Sequence, residues 1–153
     1  MVATPLPPDL PEVTLRTARL ADAPAFASLA TQLGYPSLPQ QVEQRLARVV
    51  DDPQHLLLAA VSQGRVVGWA HAYLCCLVET DTFAEIGGLV VEESCRGTGV
   101  GGKLLAKLED WARQQGCTAL SARSNVIRHE AHKFYAARGY QQVKTQHCFR
   151  KRL

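Results

Sequence analysis

Residues 89–105 read L-V-V-E-E-S-C-R-G-T-G-V-G-G-K-L-L. The apolar head of the stretch predicts a strand, and a polar turn follows. Arg96 then leads into Gly97, Gly99, Gly101 and Gly102, where a helix with apolar periodicity begins. Glycines have no side chain to hold backbone N–H groups away from a ligand. A helix start adds unpaired N–H donors and the positive end of the helix dipole. Strand, glycine turn and helix together predict an anion site, most often for a phosphate.

Three phosphate-binding spacings overlap here. Gly97 through Lys103 satisfies G-x-x-x-x-G-K, but a P-loop needs Ser or Thr next to hold magnesium. The next residue is Leu104. Gly97, Gly99 and Gly102 satisfy G-x-G-x-x-G, but a dinucleotide fold wants an acid about 20 residues on for the ribose. No Asp or Glu lies between Trp111 and His129. The third spacing, R-x-x-G-x-G over Arg96, Gly99 and Gly101, fits without a gap. Glycines at a helix start cost about 1 kcal/mol each against Ala, so a ligand is the better account of them than a bare turn.

A chain of 153 residues suggests one domain with one good core. Apolar content of 46% and charge of 20% are those of a globular protein rather than a disordered one. The net charge of +3 suits an anionic ligand but is far from the basic face of a nucleic-acid binder. No run approaches the roughly 20 apolar residues of a membrane span, and no signal peptide opens the chain. Residues 1–12, rich in proline, are expected to form a flexible arm before a single domain over 13–153. The five cysteines are odd in number and lack C-x-x-C spacing, so neither a disulfide framework nor a metal site is expected. Reduced thiols point to the cytoplasm.

Taken in order, alternation predicts a strand over Val13–Thr17. Asp22 reads as the N-cap of a first helix ending at Gly34, and Pro39 opens a second with Val42, Leu46, Val49 and Val50 on one face. Strands follow over 56–61, 65–77 and 84–91, the first two joined by a Gln63-Gly64 turn. The helix after the glycines buries Leu104, Leu105, Leu108, Trp111 and Ala112 and stops at Gly116. A strand over 118–123 gives a parallel crossover, and a helix over 130–138 follows. Strands over 140–144 and 146–151 complete the expected order β-α-α-β-β-β-α-β-α-β-β in one mixed α/β (α+β) sheet.

That order, with R-x-x-G-x-G opening the helix after the fourth strand, resembles the GCN5-related N-acetyltransferase (GNAT) family over about residues 13–152. Gln32-Leu33-Gly34-Tyr35-Pro36 and Ala131-His132-Lys133-Phe134-Tyr135, followed by Arg138-Gly139-Tyr140, resemble elements of a bacterial subset of that family. The resemblance implies an acetyl-CoA-dependent transfer of an acetyl group to a primary amine, with no metal. It implies that Arg96 and the backbone of Gly97, Thr98, Gly99, Val100, Gly101 and Gly102 bind the CoA pyrophosphate. It implies that Leu89, Val90 and Val91 lie along the pantetheine arm and polarise the thioester through backbone N–H groups.

Tyr135 matches the family tyrosine that protonates the leaving thiolate. A phenol near pKa 10 can donate to a developing thiolate of roughly pKa 8.5 once water is excluded. The asparagine that relatives place seven residues earlier is Arg128 here, with Asn125 nearby, and both are candidates for the CoA arm. Glu85 is the candidate acid for the amine, because the position where relatives of the subset often carry one is Gly87. Strand alternation puts residues 85 and 87 on one face. An ordinary exposed carboxylate is the other reading of Glu85. His71, Tyr73 and Tyr35 are candidates to line the acceptor cleft, and His132 to contact the cofactor or to hold structure. The acceptor is expected to be a small molecule, since no recognition domain is appended. A protein N-terminus or lysine, or a non-catalytic acyl-CoA sensor, are the alternatives. Family habit implies a homodimer.

Overall fold

A computed structural model describes residues 11–153. The arm expected over residues 1–12 lies, as far as residue 10, outside the described residues. The chain divides into two compact units, one ending at Ala122 and the other spanning Arg123–Leu153.

The first unit is a five-stranded sheet in the order β1-β2-β3-β4-β5. Its strands are β1 (Val13–Thr17), β2 (His55–Ser62), β3 (Arg65–Cys75), β4 (Phe83–Val91) and β5 (Leu120–Ala122). The first four pair antiparallel and β5 joins β4 parallel. Gln63 and Gly64 both take positive φ, the backbone that a two-residue hairpin needs to match strand twist.

Helices α1 (Ala23–Gln32) and α2 (Pro39–Val49) cover one face, and α3 (Val100–Gln114) the other. Phe26, Ala27, Val42 and Leu46 pack with Leu57, Ala59 and Trp69 under α1 and α2. On α3, Val100, Leu104, Leu105 and Leu108 are the largest fully buried side chains. Burying each contributes about 1.5–3 kcal/mol. Small residues Gly68, Ala70 and Ala72 on β3 let α3 approach, and a β carbon at Gly68 would stand 3.4 Å from Leu104.

Asp22 holds the N-cap position of α1, as expected, but its side chain makes no capping bond to the helix. Its carboxylate takes two guanidinium bonds from Arg16, at 2.7 and 2.8 Å, and the Arg19 backbone N–H at 2.8 Å. It thus ties β1 to the single turn that precedes α1. The Arg16 bonds hold the Asp22 carboxyl below its usual range, against the opposing effect of burial.

The second unit contains α4 (His129–Ala136), closed by Gly139 at positive φ. The strands expected over 140–144 and 146–151 are not formed: residues 141–153 carry neither helix nor strand. A strand exists through its ladder, and within this unit Val143 and Phe149 stand exposed with no sheet to bury them. The strand expected over 118–123 shortens to three residues.

Asp22→Ala is expected to destabilise the chain by about 2 kcal/mol, since charged hydrogen bonds are lost and Arg16 is left without its partner. A carboxyl lowered in the folded state stabilises above its unfolded pKa, and that contribution fades as pH falls through the folded value. Urea unfolding of both proteins should therefore show the gap at neutral pH and its closure in acid. A pH-independent gap would contradict the clamp.

Candidate active site

Strand β4 is the axis of the site. Its ladder to β5 covers only Ala84, Ile86 and Glu85, which face Leu120, Ala122 and Ser121. From Gly87 to Val91 no described strand pairs with β4 on that side. Leu89, Val90 and Val91 therefore lie where no described strand completes the ladder of β4 on that side, and their backbone groups on that edge are the ones an extended group could pair with.

After Val91 the chain makes one turn at Glu93–Cys95 and enters the glycine loop. Arg96 Nε donates to the Val91 carbonyl at 3.2 Å, folding the loop back on β4. The Thr98 hydroxyl donates to the Cys95 carbonyl. Gly97 and Gly99 take φ of 78° and 89°, which side-chain-bearing residues adopt only under strain. Gly99 is the N-cap of α3, and no side chain caps the helix. The start of α3, which includes Val100, Gly101 and Gly102, thus keeps the unpartnered N–H donors that suit a phosphate.

Upstream, β4 carries a bulge. Gly88 pairs with His71 and Ile86 with Ala72, so Gly87 is the extra residue. The bulge turns Gly87 and Gly88 to the same face. A β carbon on Gly87 would stand 2.7 Å from His71 Nδ1, and one on Gly88 would stand 2.6 Å from the Trp69 ring. Rings from β3 fill the space that side chains on β4 would occupy. Trp69 also stacks on Phe26 at 5.4 Å, with its indole nitrogen buried and unpartnered among the described residues.

Glu85 shares this face. It is not an exposed strand-start carboxylate but is 4% exposed, and Tyr73 Oη donates to its Oε2 at 2.5 Å. Cys75 Sγ lies 3.7 Å from the same oxygen. Beside them His71 Nε2 meets His55 Nδ1 at 2.9 Å, and the His55, His71 and Tyr73 rings lie within 6 Å of one another. Burial, reinforced by His55, lowers His71 to about 4, so its imidazole is neutral at pH 7. His55 was not singled out in the sequence. Its signal is register: it is the cross-strand partner of Tyr73.

The second unit holds the remaining candidates around α4. Asn125 Oδ1 accepts from the Ile127 N–H at 3.1 Å, and its carbonyl accepts from Arg128 N and His132 Nε2 at 3.0 and 2.9 Å. Asn125 and Arg128 thus shape the turn that opens α4, and His132 fastens it. Tyr135 packs edge-on against Phe134 and Tyr140. Arg138 lies 3.9 Å over the Phe134 ring. Burial pushes the Tyr135 phenol above its usual 10, and the nearby Arg128 charge offsets part of that rise. Tyr35 is exposed on the first unit, in the loop after α1.

The Acetyltransferase (GNAT) family model matches residues 22–140. The chain is 31% identical over 142 residues to an aminoglycoside N(6')-acetyltransferase type 1 of Stenotrophomonas maltophilia, covering 90% of this chain and 92% of that protein. It is 32% identical over 136 residues to an aminoalkylphosphonate N-acetyltransferase of Salmonella typhimurium, covering 87% and 88%. Among solved structures, an aminoglycoside 6'-N-acetyltransferase of Acinetobacter baumannii superposes with a TM-score of 0.82 at 18% identity, over 93% of this chain and 99% of that one. The chain belongs to the GNAT family of acetyltransferases. It is an N-acetyltransferase.

Gly88→Ala should cost about 1–3 kcal/mol, because the new methyl group must displace a Trp69 ring already stacked on Phe26. Chemical denaturation measures this directly. A neutral substitution would mean that the bulge does not bring Gly88 under the indole.

Proposed function

We propose that residues 13–153 form a single N-acetyltransferase domain that acetylates the primary amine of a small molecule by direct transfer from acetyl-CoA. The observation that carries this is the uncapped start of α3, entered through left-handed Gly97 and Gly99, at the end of a strand with one open edge. The family match runs from residue 22 to residue 140, which supports treating both units as parts of one domain.

On this reading the backbone N–H groups of Gly97, Thr98, Gly99, Val100, Gly101 and Gly102 hold the pyrophosphate, and Arg96 adds a positive charge. The open edge at Leu89, Val90 and Val91 aligns the pantetheine arm and donates to the thioester oxygen as negative charge develops there. One such oriented donor contributes about 2.7–4 kcal/mol to the transition state. Asn125 and Arg128 add contacts along the CoA arm. The amine nitrogen forms the new C–N bond, the C–S bond breaks, and Tyr135 Oη gives its proton to the departing sulfur. Burial supports this role, because it keeps the phenol protonated throughout the working pH range. Glu85 supplies the acidic group on the acceptor side, oriented by Tyr73.

The relatives named for aminoglycosides and aminoalkylphosphonates support a small amine as acceptor rather than a protein. All five cysteines are free thiols, which supports a cytoplasmic site of action. Among the described residues no helix is long and apolar enough to cross a membrane. A homodimer belongs to the same proposal, supported by the sheet edge at β1, and sedimentation would give its mass.

A CoA-release assay over aminoglycosides, aminoalkylphosphonates and simple alkylamines tests the function. Turnover on one of these classes is expected; tight acetyl-CoA binding with no turnover on any amine would leave a sensor instead. Tyr135→Phe should lower kcat by about 100-fold with acetyl-CoA affinity nearly unchanged. Equal turnover would remove Tyr135 from the chemistry. Gly101→Asp should instead abolish cofactor binding by placing a negative charge in the phosphate loop, and isothermal titration reads that loss.

A further inference from the structure

An amine near pKa 10 arrives as an ammonium and must lose a proton before it can attack. Glu85, the acid of this face, is 4% exposed and already receives the Tyr73 hydroxyl. His71 is differently placed. Its Nδ1 sits 2.7 Å from where a β carbon of residue 87 would be, two residues before the thioester-holding segment 89–91. It makes no hydrogen bond at Nδ1 among the described residues, while its Nε2 is joined to His55 Nδ1 at 2.9 Å. The glycine at 87 is what allows the imidazole to lie there.

We propose that His71 and His55 are a two-imidazole relay that takes the proton from the acceptor ammonium, with His71 as the group that meets the amine. This rests on the acetyl-transfer reading above. His71 accepts the amine proton at Nδ1 and, in the same movement, releases its Nε2 proton to His55 Nδ1. His71 is neutral before and after, having changed only its tautomer. His55, half-buried at the start of β2, becomes the imidazolium and loses its Nε2 proton to water, and exchange with water returns both rings to the Nε2–H tautomer before the next turnover. The amine keeps the electron pair that forms the C–N bond.

The low affinity of His71 for a second proton favours this route over storage on His71, since a charged imidazolium there is opposed by burial and by His55. The titratable groups facing His71 are His55 from β2, Tyr73 from its own strand and Glu85 from β4. From α1 and α2 the core side chains on this face are apolar: Phe26, Ala27, Val42 and Leu46.

The test is acetyl transfer by His71→Phe and His55→Gln at about pH 7 and pH 9.5, beside nitrogen-15 NMR of the imidazoles in the wild-type chain. His71→Phe should lose about 100-fold in kcat/KM at the lower pH and recover most of it at the higher, where the amine sheds its own proton. His55→Gln should show a smaller loss with the same recovery, and acetyl-CoA affinity should be unchanged in both. The NMR spectrum should show His71 as the Nε2–H tautomer. Equal losses at both pH values, no loss, or an Nδ1–H tautomer would overturn the relay and leave the transferase standing. A wild-type chain that acetylates no amine would overturn both.

Discussion

Strand β4 has one residue more than β3 has places for, and much of the molecule follows from that misfit. The surplus residue, Gly87, forces a bulge that turns two successive glycines to the same face. It also reverses the alternation from there on, so that the residues leading into the glycine loop face opposite ways from an unbroken strand. The rings of His71 and Trp69 close over the gap. Side chains at 87 and 88 would have to displace an imidazole and an indole, and the indole is anchored on Phe26. The bulge therefore fixes which β3 side chains reach the surface of β4. On this face those are Trp69, His71 and Tyr73, and the last holds the acid of β4, Glu85.

The two ends of the site differ in kind. Downstream of the bulge the recognition elements are backbone: an open strand edge, a turn with two left-handed glycines and an uncapped helix. Such groups bind by position and tolerate almost any side chain pointing away from them. Upstream, everything is side chain: His55, His71, Tyr73 and Glu85 form a band across three strands. A backbone site suits a cofactor shared by a whole family. A side-chain band suits an acceptor that varies from member to member.

The sequence exposed the first end far better than the second. Glycine spacing, caps and apolar periodicity are local, and they located the loop, α3, α1 and α2 to within a residue or two. The hairpin at Gln63-Gly64 was legible for the same reason. A bulge is not local, because it exists only in the register between two strands, and nothing within residues 83–91 alone reveals it. His55 was missed for that reason, since only pairing brings it beside Tyr73 and His71. Asp22, before Ala23-Pro24, does stand at the N-cap of α1, but local sequence does not tell where its side chain goes. The stronger attraction of Arg16, six residues earlier, took its carboxylate. The C-terminal strands over 140–144 and 146–151 are expected as the completion of the sheet, but a strand exists only where a neighbour completes its ladder.

The open edge of β4 has a cost that falls on the protein without its cofactor. Unpaired N–H and C=O groups along a strand are a template for any other chain that exposes an edge. In natural sheets such edges are guarded by charge, proline or a covering element. Here the exposed run is Gly87 to Val91, a segment with no charge to repel a second copy. A pantetheine arm lying there, as proposed above, would double as such a guard, so that one and the same set of backbone groups would serve recognition and protection.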